Sequence, residues 1–218
     1  MANVSLFIGG IRPLPESGRP TGMYKSQVSS AEVAREGFVG DQQADRRVHG
    51  GPDKAVHFYP ARHYEQLAAR FPEARESLRP GALGENLSSL ELDERDVRIG
   101  DIWSLGTVRL QVCQPRTPCW KIDERFGCEG ITAFIAERLL TGWYWRVLEP
   151  GRVAGGDTLD LSTPALDAPT LNEAMLLWQE HRPSLPHLER LAQTPGLAAG
   201  WRDKINQRLA WLRRAAAG

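Results

Sequence analysis

Residues 108–120 of the 218-residue chain read VRLQVCQPRTPCW, and this stretch decides how the rest of the sequence is interpreted. In its first half, apolar Val108, Leu110 and Val112 alternate with polar residues, which is the two-residue period of a half-buried strand. Its second half holds two prolines within four residues, so the chain leaves the strand as a stiff loop. The segment therefore predicts a strand that presents Cys119 on a rigid loop.

Short strands separated by glycine turns are predicted on both sides of this segment. They lie at residues 4–8, 97–99, 102–105, 143–148 and 158–161, and His57 falls in a further strand. Two short helices are predicted among them, at residues 64–70 and 131–139. Many short strands with Gly and Pro turns favour a β-barrel or a β-sandwich.

The character of the sequence changes near residue 165. Residues 162–169 form a linker, and beyond it Thr170 and Glu173 match a capping box ahead of an apolar stripe at helical spacing. Two further segments with helical periodicity follow. These patterns predict a mainly β domain with short helices at residues 1–164, and a three-helix C-terminal region at residues 165–218 that packs on it. We expect these helices to supply packing, assembly or a docking surface, and no residue of the active site.

Charge and hydropathy argue against several classes of protein. Lys plus Arg (27) balance Asp plus Glu (27), so no overall positive field favours nucleic acid. The sequence contains neither a basic leader followed by an apolar segment nor an apolar run long enough to cross a membrane. We therefore expect a cytoplasmic protein with no nucleic-acid and no membrane partner, in which the cysteines are free thiols.

Among the three cysteines, Cys119 has the setting of a reactive or metal-binding thiol. Thr117 and Pro118 match the N-cap and the first position of a short helix that Gly127 ends, which would place Cys119 in the first helical turn. The free amides of that turn and the nearby basic side chains favour the thiolate. The alternative is a buried cysteine that only packs beside Trp120.

The other two cysteines are given lesser roles. Cys113 lies on the Arg109 and Gln111 face of the strand, next to the loop, and either lines the same cavity as Cys119 or fills space. Cys128 is interpreted as incidental. A zinc site is not predicted, because the three cysteines lack the paired short spacing of structural zinc ligands.

A second segment, residues 40–57, has the composition of an anion site. Gly50 and Gly51 allow the backbone to turn its amides toward one point, and Arg46 and His49 add charge or hydrogen-bond donors. A hairpin turn with a solvated polar flank is the alternative.

These segments together resemble the MOSC domain family and, within it, the bacterial YiiM type. Five motifs in order carry the resemblance, together with Thr21, Gly22 and Lys25 before them. The motifs are GDQQAD at 40–45, HGGP at 49–52, GENL at 84–87, QPRTPC at 114–119 and GWY at 142–144, with RV at 146–147 beyond. The helical C-terminal region resembles the extra helical domain of the same proteins. The resemblance implies a MOSC-type β-barrel.

The resemblance also implies a function. Proteins of this family bind a molybdenum cofactor of the molybdopterin type, with a cysteine as metal ligand, and Cys119 matches that position. The YiiM type implies a reductase of N-hydroxylated compounds, such as hydroxylamino nucleobases, in which Cys119 is the catalytic residue. Electrons would come from a separate flavoprotein reductase. The cofactor contacts that it implies are Lys25, Arg46, His49, Gly50, Gly51, Asn86 and Arg116.

Two other functions remain open at this point. The domain could bind or carry the cofactor without turnover, or Cys119 could serve a metal-free thiol or sulfur-transfer enzyme. The absence of a recognisable Cys–His spacing weakens the thiol-enzyme hypothesis. A homodimer is compatible with the sequence.

Overall fold

The computed structural model describes residues 1–45 and 50–217, and most of its strands are short. The strands are β1 (Ala2–Asn3), β2 (Ser5–Ile8), β3 (Arg12–Pro13), β4 (Pro20–Thr21), β5 (Ser26–Val28), β6 (Ser30–Ala34), β7 (Gly37–Phe38), β8 (Val56–Pro60), β9 (Leu87–Ser89), β10 (Ile102–Leu105), β11 (Val108–Pro115), β12 (Trp143–Glu149), β13 (Gly151–Ala154) and β14 (Thr158–Thr163). The helices are α1 (His63–Arg70), α2 (Lys121–Phe126), α3 (Ile131–Glu137), α4 (Leu171–Gln179), α5 (Leu185–Gln193) and α6 (Ala199–Ala217).

The strand predicted at the start of the deciding segment lies in the middle of a nine-stranded sheet. Its order is β1-β14-β10-β11-β12-β8-β9-β2-β5. β1 pairs with β14, whereas β2 pairs with β9, and only Val4 separates β1 from β2 along the chain. The sheet therefore closes on itself through the N-terminal run, and the predicted β-barrel is confirmed. All strand pairs in it are antiparallel except β8 with β9.

Aromatic side chains fill the interior of the barrel. Phe58, Trp143 and Trp145 are fully buried, and the rings of Phe58 and Trp143 stack with centroids 4.1 Å apart. Burial of one such side chain is worth about 1.5–3 kcal/mol relative to leaving it exposed. A second apolar cluster, which includes Leu67 of α1 and Ile122 of α2, supports the loops at one side of the barrel.

The C-terminal helices share the core of the barrel. Leu188, Leu191 and Ile205 are buried in the same apolar cluster as Val97 and the barrel tryptophans. The capping box at the start of α4 is confirmed, with both of its hydrogen bonds present. The packing of the helices on the β region agrees with expectation, and the domain boundaries near residue 165 stay a prediction.

The predicted strand at residues 97–99 is wrong. Arg98 forms a single bridge with Thr170, and its amide donates to the carboxylate of Asp101 at 2.7 Å, which folds the segment into a turn. Val97 and Ile99 are both fully buried, so their alternation reflects packing rather than strand pairing. None of the helices in the described part of the chain has the length and apolar character needed to cross a membrane.

Candidate functional site

Four of the predicted site residues line one cleft, together with residues at the start of β8, after β11 and at the start of β12. These four are Lys25, Asn86, Arg116 and Cys119. Lys54 of the predicted anion segment and Lys121 beside the cysteine loop also line it, as do Asp41, His57 and Tyr144, to which the sequence had given no role in this site. Asp41 and Tyr144 lie inside the motifs quoted above, and that position was the available signal for them.

The loop that carries Cys119 is held at both ends. The Arg116 amide donates to the carbonyl of Gly142 at 3.0 Å. The carbonyl of Cys119 accepts from the Ile122 amide at 2.9 Å and from the Thr132 hydroxyl at 3.2 Å. Since the backbone is fixed, the half-buried thiol has a defined place on the wall of the cleft.

The helix after this loop begins later than predicted. α2 starts at Lys121, with Trp120 at its N-cap and no side-chain cap, so Cys119 lies before the helix and not in its first turn. Thr117 precedes a proline, and the proline ring disfavours helical backbone at the residue before it. The prediction that Cys119 lies in the first helical turn, among its free amides, is therefore wrong. Gly127 ends the helix as predicted, with φ of 58°.

The other two cysteines are buried and have protein partners. Cys113 does not line the cleft, and its thiol donates to the carbonyls of Asp53 at 2.9 Å and Tyr144 at 3.3 Å. Burial, reinforced by the charge of Asp53, raises the pKa of Cys113. The thiol of Cys128 donates to a Glu73 carboxylate oxygen at 3.0 Å. Burial, followed by this hydrogen bond, raises the pKa of Cys128 to about 11.

Lys25 enters the cleft as part of a buried ion pair. Its Nζ lies 2.6 Å from Oδ2 of Asp41, and the two side chains are 5% and 6% exposed. The other oxygen of Asp41 accepts from the Gly9 amide at 2.9 Å, which fixes the carboxylate. Burial lowers the pKa of Lys25, and the charge and hydrogen bond of Asp41 oppose that shift. An ammonium has three donors, so Lys25 keeps hydrogen-bonding capacity toward the cleft.

Asn86 forms hydrogen bonds to three other segments of the chain at the wall of the cleft. Its amide nitrogen donates to Oδ2 of Asp41 at 3.0 Å and to the carbonyl of Phe7 at 3.2 Å, and its side-chain oxygen accepts from the His57 amide at 3.1 Å. Both amide hydrogens are thus used within the protein. A contact between Asn86 and a cofactor stays a prediction, and it would have to use the remaining lone pair of the side-chain oxygen.

Arg116 is the cation nearest to the Cys119 loop in sequence. Its side chain is buried, and its Nη1 has no hydrogen-bond partner within residues 1–45 and 50–217. Burial raises the pKa of Tyr144, while the charge and hydrogen bond of Arg116 oppose that shift and Cys119 adds to it. Arg116, Tyr144 and Cys119 therefore lie close enough to interact electrostatically. A buried guanidinium nitrogen without a partner is costly, and a bound anion would satisfy it.

A buried carboxylate lies beneath the cleft. Glu85 is fully buried and accepts from the Tyr64 hydroxyl at 2.7 Å, the Gly81 amide at 2.6 Å and the Leu83 amide at 3.1 Å. Burial raises the pKa of Glu85, and the hydrogen bonds and Arg116 oppose that shift. Glu85 therefore orders the glycine turn at 81–84, which forms one wall.

Two motif glycines allow the close approaches that shape the cleft. A Cβ on Gly22 would lie 2.4 Å from the carbonyl of Gln42, and both residues line the cleft. Gly142 has φ of 66°, and a Cβ there would lie 2.3 Å from the carbonyl of Phe58. The Gly142 amide also donates to Glu94 at 2.6 Å, which fixes the start of the strand that carries Tyr144.

The structure places Gly50 and Gly51 outside the cleft. They line a second cavity beside it, and Lys54 lines both spaces. Arg46 and His49 lie outside the described residues, so their contacts stay predictions.

The barrel and its cleft match a known class of domain. The MOSC domain family matches residues 45–160, and the YiiM-like 3-alpha helix domain matches residues 181–210. The chain belongs to the MOSC domain family.

Within that family, the chain is similar to protein YiiM of Escherichia coli, with 36% identity over 207 residues that cover 94% of this chain and 91% of YiiM. The crystal structure of YiiM from Escherichia coli superimposes with a TM-score of 0.80 at 29% identity, covering 96% of this chain and 92% of that one. A protein of Gibberella moniliformis named reductase is 38% identical over 126 residues, which are 57% of this chain and 22% of that protein.

Proposed function

We propose that the protein is a molybdenum-cofactor-dependent reductase of N-hydroxylated compounds such as hydroxylamino nucleobases, with Cys119 as the protein ligand of the metal. The observation that carries the proposal is that the half-buried thiol of Cys119 lines the same cleft as Arg116, whose buried Nη1 has no partner among the described residues. Membership of the MOSC family and the similarity to a protein named reductase support it.

The residues of the cleft fit such a cofactor. A thiolate is a soft ligand that suits a metal–sulfur environment. The cationic side chains of Lys25, Arg116 and Lys121 on the same walls suit an anionic pterin with a terminal phosphate. When bound, the cofactor would supply the two electrons that convert N–OH to N–H and water with two protons.

The protein itself would hold and orient the reactants. The Cys119 loop is fixed by three backbone-anchored hydrogen bonds, so the ligand does not depend on a mobile segment. Asp41 holds Lys25 in place at the cleft. Tyr144 and His57 line the cleft and offer polar groups for the N–OH of the substrate. A separate flavoprotein reductase would deliver the electrons.

The test is to express the full chain in a host that makes the cofactor, and to compare wild type with Cys119→Ser and Cys128→Ser. Molybdenum content, released pterin and reduction of a hydroxylamino purine with a chemical reductant are measured together. We expect Cys119→Ser to lose metal and to lower activity by at least about 100-fold, since the ligand itself is removed. Cys128→Ser is the matched control and should retain both, because its thiol bonds to Glu73 away from the cleft.

The other outcomes separate the competing functions. Wild-type protein that holds cofactor and metal but does not turn over with a chemical reductant would be a carrier. Activity that persists without metal yet disappears in Cys119→Ser would identify a thiol enzyme. A Cys119→Ser protein with full metal content would remove Cys119 from the site.

A further inference from the structure

The second cavity joins the barrel to the C-terminal helices. It lies between the turn at residues 50–54, the end of β11 and the first turns of α6. The side chains that matter for its chemistry are Asp53, Lys54, Gln114 and Lys204. This cavity lies beside the Cys119 cleft, because Lys54 lines both.

Gln114 points to a ligand in this cavity. Its side chain is 6% exposed and lines the cavity, yet no hydrogen bond of its amide occurs within the described residues. The amide atoms are open to the cavity, so they present a hydrogen-bond donor and an acceptor to a ligand there. Gln114 also lies next to the Cys119 cleft, because it pairs across neighbouring strands with Tyr144, which lines that cleft.

The charges at the cavity select an anion. Lys54 and Lys204 both line the cavity, so two positive groups converge there. Burial, followed by the charge of Lys204, lowers the pKa of Lys54. Asp53 is the carboxylate at the wall, but its oxygens are already used. Oδ1 accepts from Arg146 at 2.8 and 2.6 Å, and Oδ2 accepts from the Ala199 amide at 3.1 Å. An oxyanion in the cavity would lie near both ammonium groups, and their positive charge favours its binding.

The backbone leaves room for such an anion. Gly51 has φ of 89°, and a Cβ at this position would meet no atom within 4 Å, so the backbone borders open space. Gln114 and Arg116 are two residues apart along β11 and its extension, which places their side chains roughly 7 Å apart. A ligand of moderate length can therefore occupy the cleft and the cavity at once.

We propose that this cavity binds a phosphate monoester, and that the phosphate belongs to the substrate, which is then a nucleotide carrying an N-hydroxylated base. The substrate assignment rests on the proposed function, whereas anion binding in the cavity does not. Gln114 and Lys204 are the binding residues, so the C-terminal helices contribute to recognition of the substrate.

The experiment measures binding to the full chain by calorimetry, which does not depend on turnover. Adenosine 5′-monophosphate, adenosine and inorganic phosphate are titrated into wild type, Lys204→Ala and Arg214→Ala, each with and without bound cofactor. Arg214 is exposed on the same helix ten residues away, about 15 Å along its axis, so its variant removes an equal charge from outside the cavity. We expect the monophosphate to bind wild type more tightly than adenosine or phosphate do. Lys204→Ala should weaken it at least about fivefold and Arg214→Ala should not, because only Lys204 makes a charge-assisted contact.

Each contrary result has a definite meaning. Equal affinity for the monophosphate in wild type and Lys204→Ala would overturn the anion site. Equally tight binding of inorganic phosphate and the monophosphate would overturn the nucleotide assignment. Monophosphate binding that disappears once the cofactor is bound would assign the cavity to the phosphate of the cofactor and also overturn it. A protein that binds the monophosphate as expected but reduces no N-hydroxylated compound would refute the proposed function and the substrate assignment that rests on it, and would leave anion binding in the cavity intact.

Discussion

Cys113 lies in β11 and Cys119 lies six residues later on the loop that follows it, and the two cysteines have opposite environments. Cys113 falls where the pairing of β11 with β12 shifts register, and it is fully buried in the core with its thiol bonded to two carbonyls. Cys119 follows two prolines, lies on a loop fixed through its backbone, and keeps its thiol on the wall of the cleft. The distance along the chain is small, yet of these two thiols only that of Cys119 lines the cleft.

Burial and backbone anchoring together determine which of the two sulfur atoms is accessible. Burial disfavours the charged thiolate, and the hydrogen bonds of Cys113 use its sulfur within the protein. The Cys119 loop instead uses its carbonyl for anchoring, which leaves the sulfur for a partner in the cleft.

The largest expected effect is a difference in alkylation rate. In cofactor-free native protein, iodoacetamide should modify Cys119 at least about 100-fold faster than Cys113, because a core thiol reacts only when the structure opens. Peptide mass spectrometry over time measures both rates. Comparable rates for the two thiols would show that the core around Cys113 opens freely, and would end the contrast between them.

A smaller effect is expected for stability. Cys113→Ala should lower the free energy of unfolding by about 1–2 kcal/mol, because the core loses the packed sulfur and two carbonyls lose a donor. Molybdenum content and activity should stay near wild type, since Cys113 does not line the cleft. Denaturant titration and metal analysis measure the two quantities. Loss of metal in this variant would place Cys113 in the site.

The smallest effect concerns the pH dependence of stability. The pKa of Cys113 is raised in the folded protein, so the unfolded chain loses this thiol proton first as the pH rises. The stabilisation is complete below the unfolded pKa of about 8.5 and is lost above it. Between pH 8 and 9.5, wild type should therefore lose about 1 kcal/mol more stability than Cys113→Ala. If the free energy of unfolding falls equally with pH in the two proteins, then Cys113 ionises equally well in the folded and unfolded states.

Much of the fold could be predicted because its signals are local. The strand at 102–105 has its predicted bounds, the helix ending at Gly127 was predicted, and Thr170 caps α4 as expected. The strand predicted at 97–99 failed because Val97 and Ile99 alternate for reasons of packing under the C-terminal helices. A two-residue period in so short a segment does not distinguish these causes.

The site could be predicted only in part. Motifs marked Lys25, Arg116 and Cys119, and the structure brings these residues to one cleft. The helix start at Thr117 was wrong, because a local capping pattern competes with the restriction that the following proline imposes. The C-terminal helices were expected to stay away from the site, yet Lys204 lines a cavity beside it.

The sequence by itself determined that a strand with a two-residue period runs into a proline-stiffened loop with a cysteine, and that capped helices follow near the C-terminus. These features depend on backbone preferences and hydrophobic periodicity, which act over a few residues. Only the tertiary structure decided that β1 and β2 close the barrel, that Asp41 holds Lys25, and that Lys54 and Lys204 line one cavity. Those contacts join residues far apart in the chain, and packing of the whole core sets them.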